Sequence, residues 1–242
     1  MNSVYGLCRG AMSMPDEWVT PANLAAAKRA QGEMAERVET ADRLPNIQIL
    51  GGADVSASRF DPTRRVWAAI ITLDASTLAP GETAAEAQHA RFPYIPGYLG
   101  FREAPALLAA WGRLTRKPDL LFVDGQGIAH PRRLGIASHI GVLLDIPTIG
   151  VAKSRLVGEV EGERVMLRGE AVAALVTLRP RANPLHISPG HRISLETAVE
   201  WVRRVATGHR LPAPTRAAHM AAGALRRGDL AAGTAQESYQ RP

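Results

Sequence analysis

Residues 118–153, PDLLFVDGQGIAHPRRLGIASHIGVLLDIPTIGVAK, decide the fold. LLFV is a short apolar run closed by Asp124 and Gly125, LGIASHIGVLLD reads as a helix, and IPTIGVAK returns to an apolar, β-branched run. Strand, helix, strand at this spacing is a βαβ unit, whose crossover makes its two strands parallel. Upstream, IQILGGADVS (47–56) and VWAAIITLD (66–74) are strands joined through Asp61 and Pro62, which predicts an antiparallel hairpin. A third strand is expected over Glu86 to Arg91. FREAPALLAAWGRL (101–114) places Leu107, Leu108, Trp111 and Leu114 at helical spacing.

The flanks follow the same reading. Thr20 and Pro21 have the chemistry of an N-cap and first helical residue, which predicts a helix running to about Ala41. Weaker strands are expected at VMLR (165–168) and ALVTLR (174–179). HISPGHRIS (186–194) reads as a polar turn before a helix capped by Ser194, with Leu195, Ala198, Val199, Val202 and Val205 on its apolar face. A last helix is expected after Pro214. The fold class is therefore α/β, a mixed sheet flanked by helices. One domain over residues 15–227 is expected, with flexible tails at 1–14 and 228–242.

Composition narrows the class. Of 242 residues, 46% are hydrophobic and 21% charged, which excludes a disordered chain. The single cysteine, Cys8, excludes a disulfide scaffold and a cysteine-rich zinc site, and fits a reducing compartment. No apolar run is long enough for a membrane span, and the first residues do not form a signal peptide. A cytoplasmic location is expected. The net charge of +6 points to a polyanionic partner. Val202 to Arg227 holds six arginines and two histidines without an acid, either a solvated helix face or a surface for that partner.

Three carboxylates stand in unusual places. Asp54 interrupts an apolar strand, Asp124 ends another, and Glu103 lies early in a helix. An acid at the end of a buried strand needs a cation or hydrogen-bond partners. If the first strand neighbours the βαβ strand, Asp54 and Asp124 come side by side. Such oxygen ligands suit Mg²⁺ and, beside a basic surface, metal-assisted phosphodiester hydrolysis. Asp124 alone reads first as a residue capping the turn that follows.

The loop DGQGIAHPRRLG (124–135) matches neither a P-loop nor a dinucleotide fingerprint. It is either an ordinary strand-to-helix turn or a loop whose backbone approaches a ligand closely. His130, Arg132 and Arg133 are expected to set cations beside Asp124, and Lys153 ends the next strand on the same sheet edge. Tyr94, in PYIPG, sits between prolines on a stiff loop, either packed or inserted into a base stack. His191 and Arg192 precede a helix N-terminus that would accept a phosphate.

Together GGADVS, FPYIPGYLGFREAP, DGQGIAHPRRLGIASHIGVLLDIPTIGVAKSRL, HISPGHRISLETA and LPAPTRAAH resemble the endonuclease V family, in the family's order, from about residue 45 to 220. The resemblance implies a ribonuclease H-like fold. It also implies a DNA-repair endonuclease that cuts the second phosphodiester bond 3′ to deoxyinosine, leaving 3′-hydroxyl and 5′-phosphate ends, with Mg²⁺ or Mn²⁺. By the same resemblance, Asp54, Glu103 and Asp124 are metal-binding catalytic acids, Lys153 and His130 lie near the scissile phosphate, and His219 belongs to a second metal site. Tyr94 matches a wedge that parts the strands; Gly97, Leu99, Gly125, Gly135 and Ile136 match the pocket for the flipped base. The protein is expected to act as a monomer on deoxyinosine-containing DNA. Inosine-containing RNA, branched DNA, or nucleic-acid binding without cleavage are the alternatives.

Overall fold

The computed structural model describes residues 14–57, 61–233 and 235–237. In chain order the elements are α1 (Leu24–Ala35), β1 (Ile49–Ala57), β2 (Arg65–Asp74), β3 (Pro80–His89), α2 (Leu99–Arg113), β4 (Leu120–Asp124), α3 (Ile136–Leu144) and β5 (Thr148–Ala152). They continue with β6 (Glu159–Glu161), β7 (Arg164–Leu167), β8 (Glu170–Val176), β9 (Leu185–His191), α4 (Leu195–Arg204), α5 (Ala213–Arg227) and β10 (Ala235–Glu237). The strands form one sheet in the order β10-β3-β2-β1-β4-β5-β9-β8-β7-β6. β1, β2 and β3 are antiparallel, whereas β4 is parallel to both β1 and β5. This is the mixed sheet the sequence implies, with the βαβ unit at its centre.

Both faces are covered. Leu121 and Val123 of β4 join Ala53, Met34, Phe101 and Ile140 in a core beneath α1, α2 and α3. Leu120 and Phe122 face the other way, toward Ile149, Ile187, Ala198 and Val202 under α4. Ile71, Leu73, Ala221 and Leu225 complete that side under α5. A strand buried on both faces has to be apolar throughout, which is why LLFV shows no alternation.

Several boundaries differ from expectation. α1 starts later, because Asn23 Oδ1 accepts from Ala26 N at 2.9 Å, while Thr20 closes the short turn of Asp16–Trp18. It ends at Ala35, and the backbone of Glu39 is bonded instead to His191 Nδ1 and Arg192 N. β3 begins at Pro80 rather than near Glu86. α5 is capped by Pro212 and already contains Pro214. HISPGH is not a turn but strand β9, paired with β5 and β8. Pro189 and Gly190 fit there because Gly127 has no Cβ to meet the Pro189 carbonyl and Gly190 none to meet Thr148, and the pairing slips at Thr148/Ile149, a place where proline is tolerated in a sheet.

Of the segments expected as tails, residues 1–13, 234 and 238–242 lie outside the described residues. Ala235–Glu237 pair with β3. No helix among the described residues is long and apolar enough to cross a membrane.

Candidate active site

The register of β1 on β4 pairs Ala53 with Val123, so the next residues, Asp54 and Asp124, stand abreast where the β1–β4 ladder ends, Asp54 still paired with Ala69 of β2 and Asp124 with Val151 of β5. Even-numbered positions of both strands face α4 and α5. α5 can approach because position 52 is glycine: a Cβ there would stand 1.9 Å from the Pro214 carbonyl oxygen. Five residues beyond Pro214, His219 Nδ1 lies 2.7 Å from Asp54 Oδ2 and 3.8 Å from Asp124 Oδ2. One donor atom from each of the three falls within 4.8 Å of the others. Asp54 Oδ1 accepts from Val55 N at 2.8 Å, which fixes the carboxylate plane.

Cations already gather on these acids. Lys153, just past β5, donates to Asp124 Oδ2 at 2.5 Å. His219 is held toward its charged form chiefly by its hydrogen bond to Asp54. Asp124 is nonetheless raised, first by burial and then by the charge of Asp54. Glu103 enters from the second turn of α2. Burial, and then the charge of Asp54, push its carboxyl up to about 8 against the opposing charge of Arg102.

The site opens into two adjoining cavities. One, of about 510 Å³, is lined by Asp54, Asp124, Lys153, His219, Met220 and Arg227. The other, of about 400 Å³, shares Asp124 and Lys153 with it. It is lined by Tyr94, Gly97 and Leu99 from the segment leading into α2 and by Gly125, Gly135 and Ile136 from the segment leading into α3, with Glu103 and His130. Tyr94 is 40% exposed at the rim. His130 is buried, and burial with the Arg132 charge lowers its pKa to about 4, so the ring is neutral. Its Nδ1 accepts from Arg132 N, which leaves the proton on Nε2.

Gly125 and Gly135 line the cavity without donating to it, because their N–H groups bond Val151 O and Gly127 O. Leu99 and Gly100 begin α2 and Ile136 begins α3. First-turn N–H groups such as these have no partner within their own helix, and both positive helix ends face the cavity.

Two groups expected at the site stand elsewhere. His191 and Arg192 lie at the opposite edge, since His191 pairs with Thr148 at the start of β5. His191 is buried against Glu39, and Arg192 pairs with Asp145 at 2.6 Å. Arg132 and Arg133 do not pair with Asp124: Arg132 contacts Gly97 and Gln31, and Arg133 pairs with Glu170 at 3.0 Å. Gln31 went unread in the sequence. Its signal is a polar residue on a helix face shared with Ala27, Ala30 and Met34, where it is only 3% exposed.

A family model for endonuclease V matches residues 32–220. An endonuclease V from Rhodospirillum centenum is 49% identical over 228 residues, covering 89% of this chain and 95% of the relative. The crystal structure of an endonuclease V from Streptomyces avermitilis superposes with a TM-score of 0.79 at 34% identity, covering 90% of this chain and 98% of that one. A Ciona intestinalis endonuclease V, solved with a 24mer DNA containing an inosine followed by a ribo-adenosine, gives a TM-score of 0.76 at 27% identity, covering 86% and 99%. The chain belongs to the endonuclease V family.

Proposed function

We propose that the protein is a deoxyinosine-directed repair endonuclease that hydrolyses the second phosphodiester bond 3′ to the lesion, leaving 3′-hydroxyl and 5′-phosphate ends. The observation that carries this reading is the junction of two sites at Asp124 and Lys153. An acid–imidazole cluster lies on one side of them and a purine-sized, helix-capped cavity on the other.

The acids fit a divalent cation. Two carboxylates and an imidazole converge, a third acid is pushed up by burial and then by the charge of Asp54, and oxygen-rich sets of this kind suit Mg²⁺ or Mn²⁺. Asp54, Asp124 and Glu103 would hold it, with His219 at its side. When bound, such an ion supplies an activated water and neutralises charge on a phosphate. Lys153, fixed on Asp124, offers a cation to a phosphate oxygen in the same cleft. His219 keeps a proton on Nδ1 toward Asp54.

Recognition follows from the second cavity. Hypoxanthine presents O6 and N7 acceptors and lacks adenine's exocyclic amine. The N–H groups of Leu99, Gly100 and Ile136, at the starts of α2 and α3, match those acceptors; one that faces O6 would stay unpaired against an amino group, which costs about 1–3 kcal/mol. Tyr94 at the rim is placed to fill the gap left by an extruded base.

The test is cleavage of a labelled duplex with one deoxyinosine, in Mg²⁺ and in EDTA, beside an RNA strand with one inosine. A Mg²⁺-dependent nick one nucleotide beyond the lesion supports the reading. Cleavage of the RNA alone moves the substrate to inosine in RNA, and no cleavage of either leaves a binding protein.

A further inference from the structure

One carbonyl joins the two walls of the base cavity. Gly97 O accepts from Arg132 Nη2 at 2.7 Å and from Gln31 Nε2 at 2.8 Å. Gln31 Oε1 in turn accepts from Arg132 Nε. The guanidinium lies 4.1 Å over the Tyr98 ring, and the Arg132 backbone N–H bonds His130 Nδ1. Gly97 has a φ of +80°, and a Cβ there would stand 2.9 Å from Arg132 Nη2. The slot is thus shaped around the guanidinium, which Gln31 of α1 and Gly97 hold on its edge and Tyr98 covers on its face.

We propose that Arg132, braced by Gln31, is a positioning residue that locks the Tyr94–Gly97 segment onto the loop after β4, setting the distance between wedge and base cavity. This rests on the functional reading above. Pro93 and Pro96 stiffen the segment, and Tyr98 N closes its turn on Ile95 O at 3.0 Å. An anchor at Gly97 is therefore felt at Tyr94. Without Arg132 the Gly97 carbonyl keeps only the His130 ring as a side-chain partner from the loop after β4. A lysine would keep the charge but cannot bond Gly97 and Gln31 as a planar fork while stacking on Tyr98.

The test is a double-mutant cycle of Arg132→Ala and Tyr94→Ala, read by single-turnover cleavage of the deoxyinosine duplex over a range of enzyme concentrations. Arg132→Ala should raise the half-saturating concentration about tenfold and leave the saturating rate within about threefold. The double variant should bind no worse than Tyr94→Ala alone, because both act through one segment. Arg132→Lys should stay within about threefold of Arg132→Ala. Losses that multiply in the double variant, a loss confined to the saturating rate, or full recovery by lysine would each overturn the clamp. Thermal melts run beside the assay; if Arg132→Ala does not fold, Gln31→Ala enters the same cycle. Wild-type protein that leaves the lesion uncut overturns the functional reading along with the clamp, whereas wild-type cleavage with multiplied losses overturns the clamp alone.

Discussion

Asp54 Oδ2 stands 2.7 Å from His219 Nδ1 although 165 residues separate them in the chain. The contact exists because α5 crosses the face of β1 that carries Asp54, and α5 passes there because Gly52 leaves room for the Pro214 carbonyl. Strand, helix and acid–imidazole pair form one construction.

Removing either central acid should stop the reaction. Asp54→Asn and Asp124→Asn keep the shape of the side chain and lose its charge. Cleavage of the deoxyinosine duplex should fall by at least about 10³-fold, as loss of a catalytic metal site does. Lesion binding, read by gel shift, should stay within a few-fold of wild type.

Gly52→Ala should act at a distance. Its Cβ would meet Pro214 backbone atoms at 1.9 and 2.4 Å, which no side-chain rotation relieves. A destabilisation of about 1–3 kcal/mol is expected from overpacking, measured by urea unfolding. Activity should fall more than stability explains, because α5 carries His219.

Glu103→Gln should trade activity for stability. The Glu103 carboxyl is pushed up to about 8, so from pH 4.5 to 8 the folded protein holds a proton that the unfolded chain releases. The metal-free wild type therefore loses stability as pH rises through that window, and the glutamine variant does not. Thermal melts in EDTA at pH 5 and pH 8 should show the variant gaining over wild type at the higher pH. Its cleavage should be lost.

His139 should make the fold acid-sensitive. Its ring is buried, with Nε2 donating to Trp18 O at 2.7 Å and its edge against Phe101, and burial lowers its pKa to about 4. Below pH 6.5 the unfolded chain takes up a proton that the folded ring refuses. Stability should decline by about 3 kcal/mol between pH 6.5 and 4 from this group. In His139→Gln, urea midpoints should show a shallower decline over the same range.

The centre of the sheet was legible because its residues encode it directly. β4 and β5 are short apolar runs flanked by turn residues, and Asp124 at the end of β4, like Asp54 within β1, stands out against its apolar strand. The side-by-side placement of Asp54 and Asp124 follows from strand order alone. His219 was reached through family resemblance, since no local pattern ties an alanine-rich helix to an acid so far upstream. β9 stayed hidden because Ser188, Pro189 and Gly190 are chosen for close approach to other backbone rather than for strand propensity. Arg132 was expected beside Asp124 because both lie in one loop. Its real partner, the Gly97 carbonyl, is a backbone atom, and backbone atoms leave no mark in a sequence.

The close fit of α5 over Gly52 also bears on the order in which the molecule comes into being. Translation delivers the two aspartates in the first 124 residues and the imidazole only at residue 219. A growing chain thus holds its acids long before it holds the helix that completes them. Whatever the cleft does to nucleic acid, the donor set of Asp54, Asp124 and His219 closes only when the last helix settles onto the sheet.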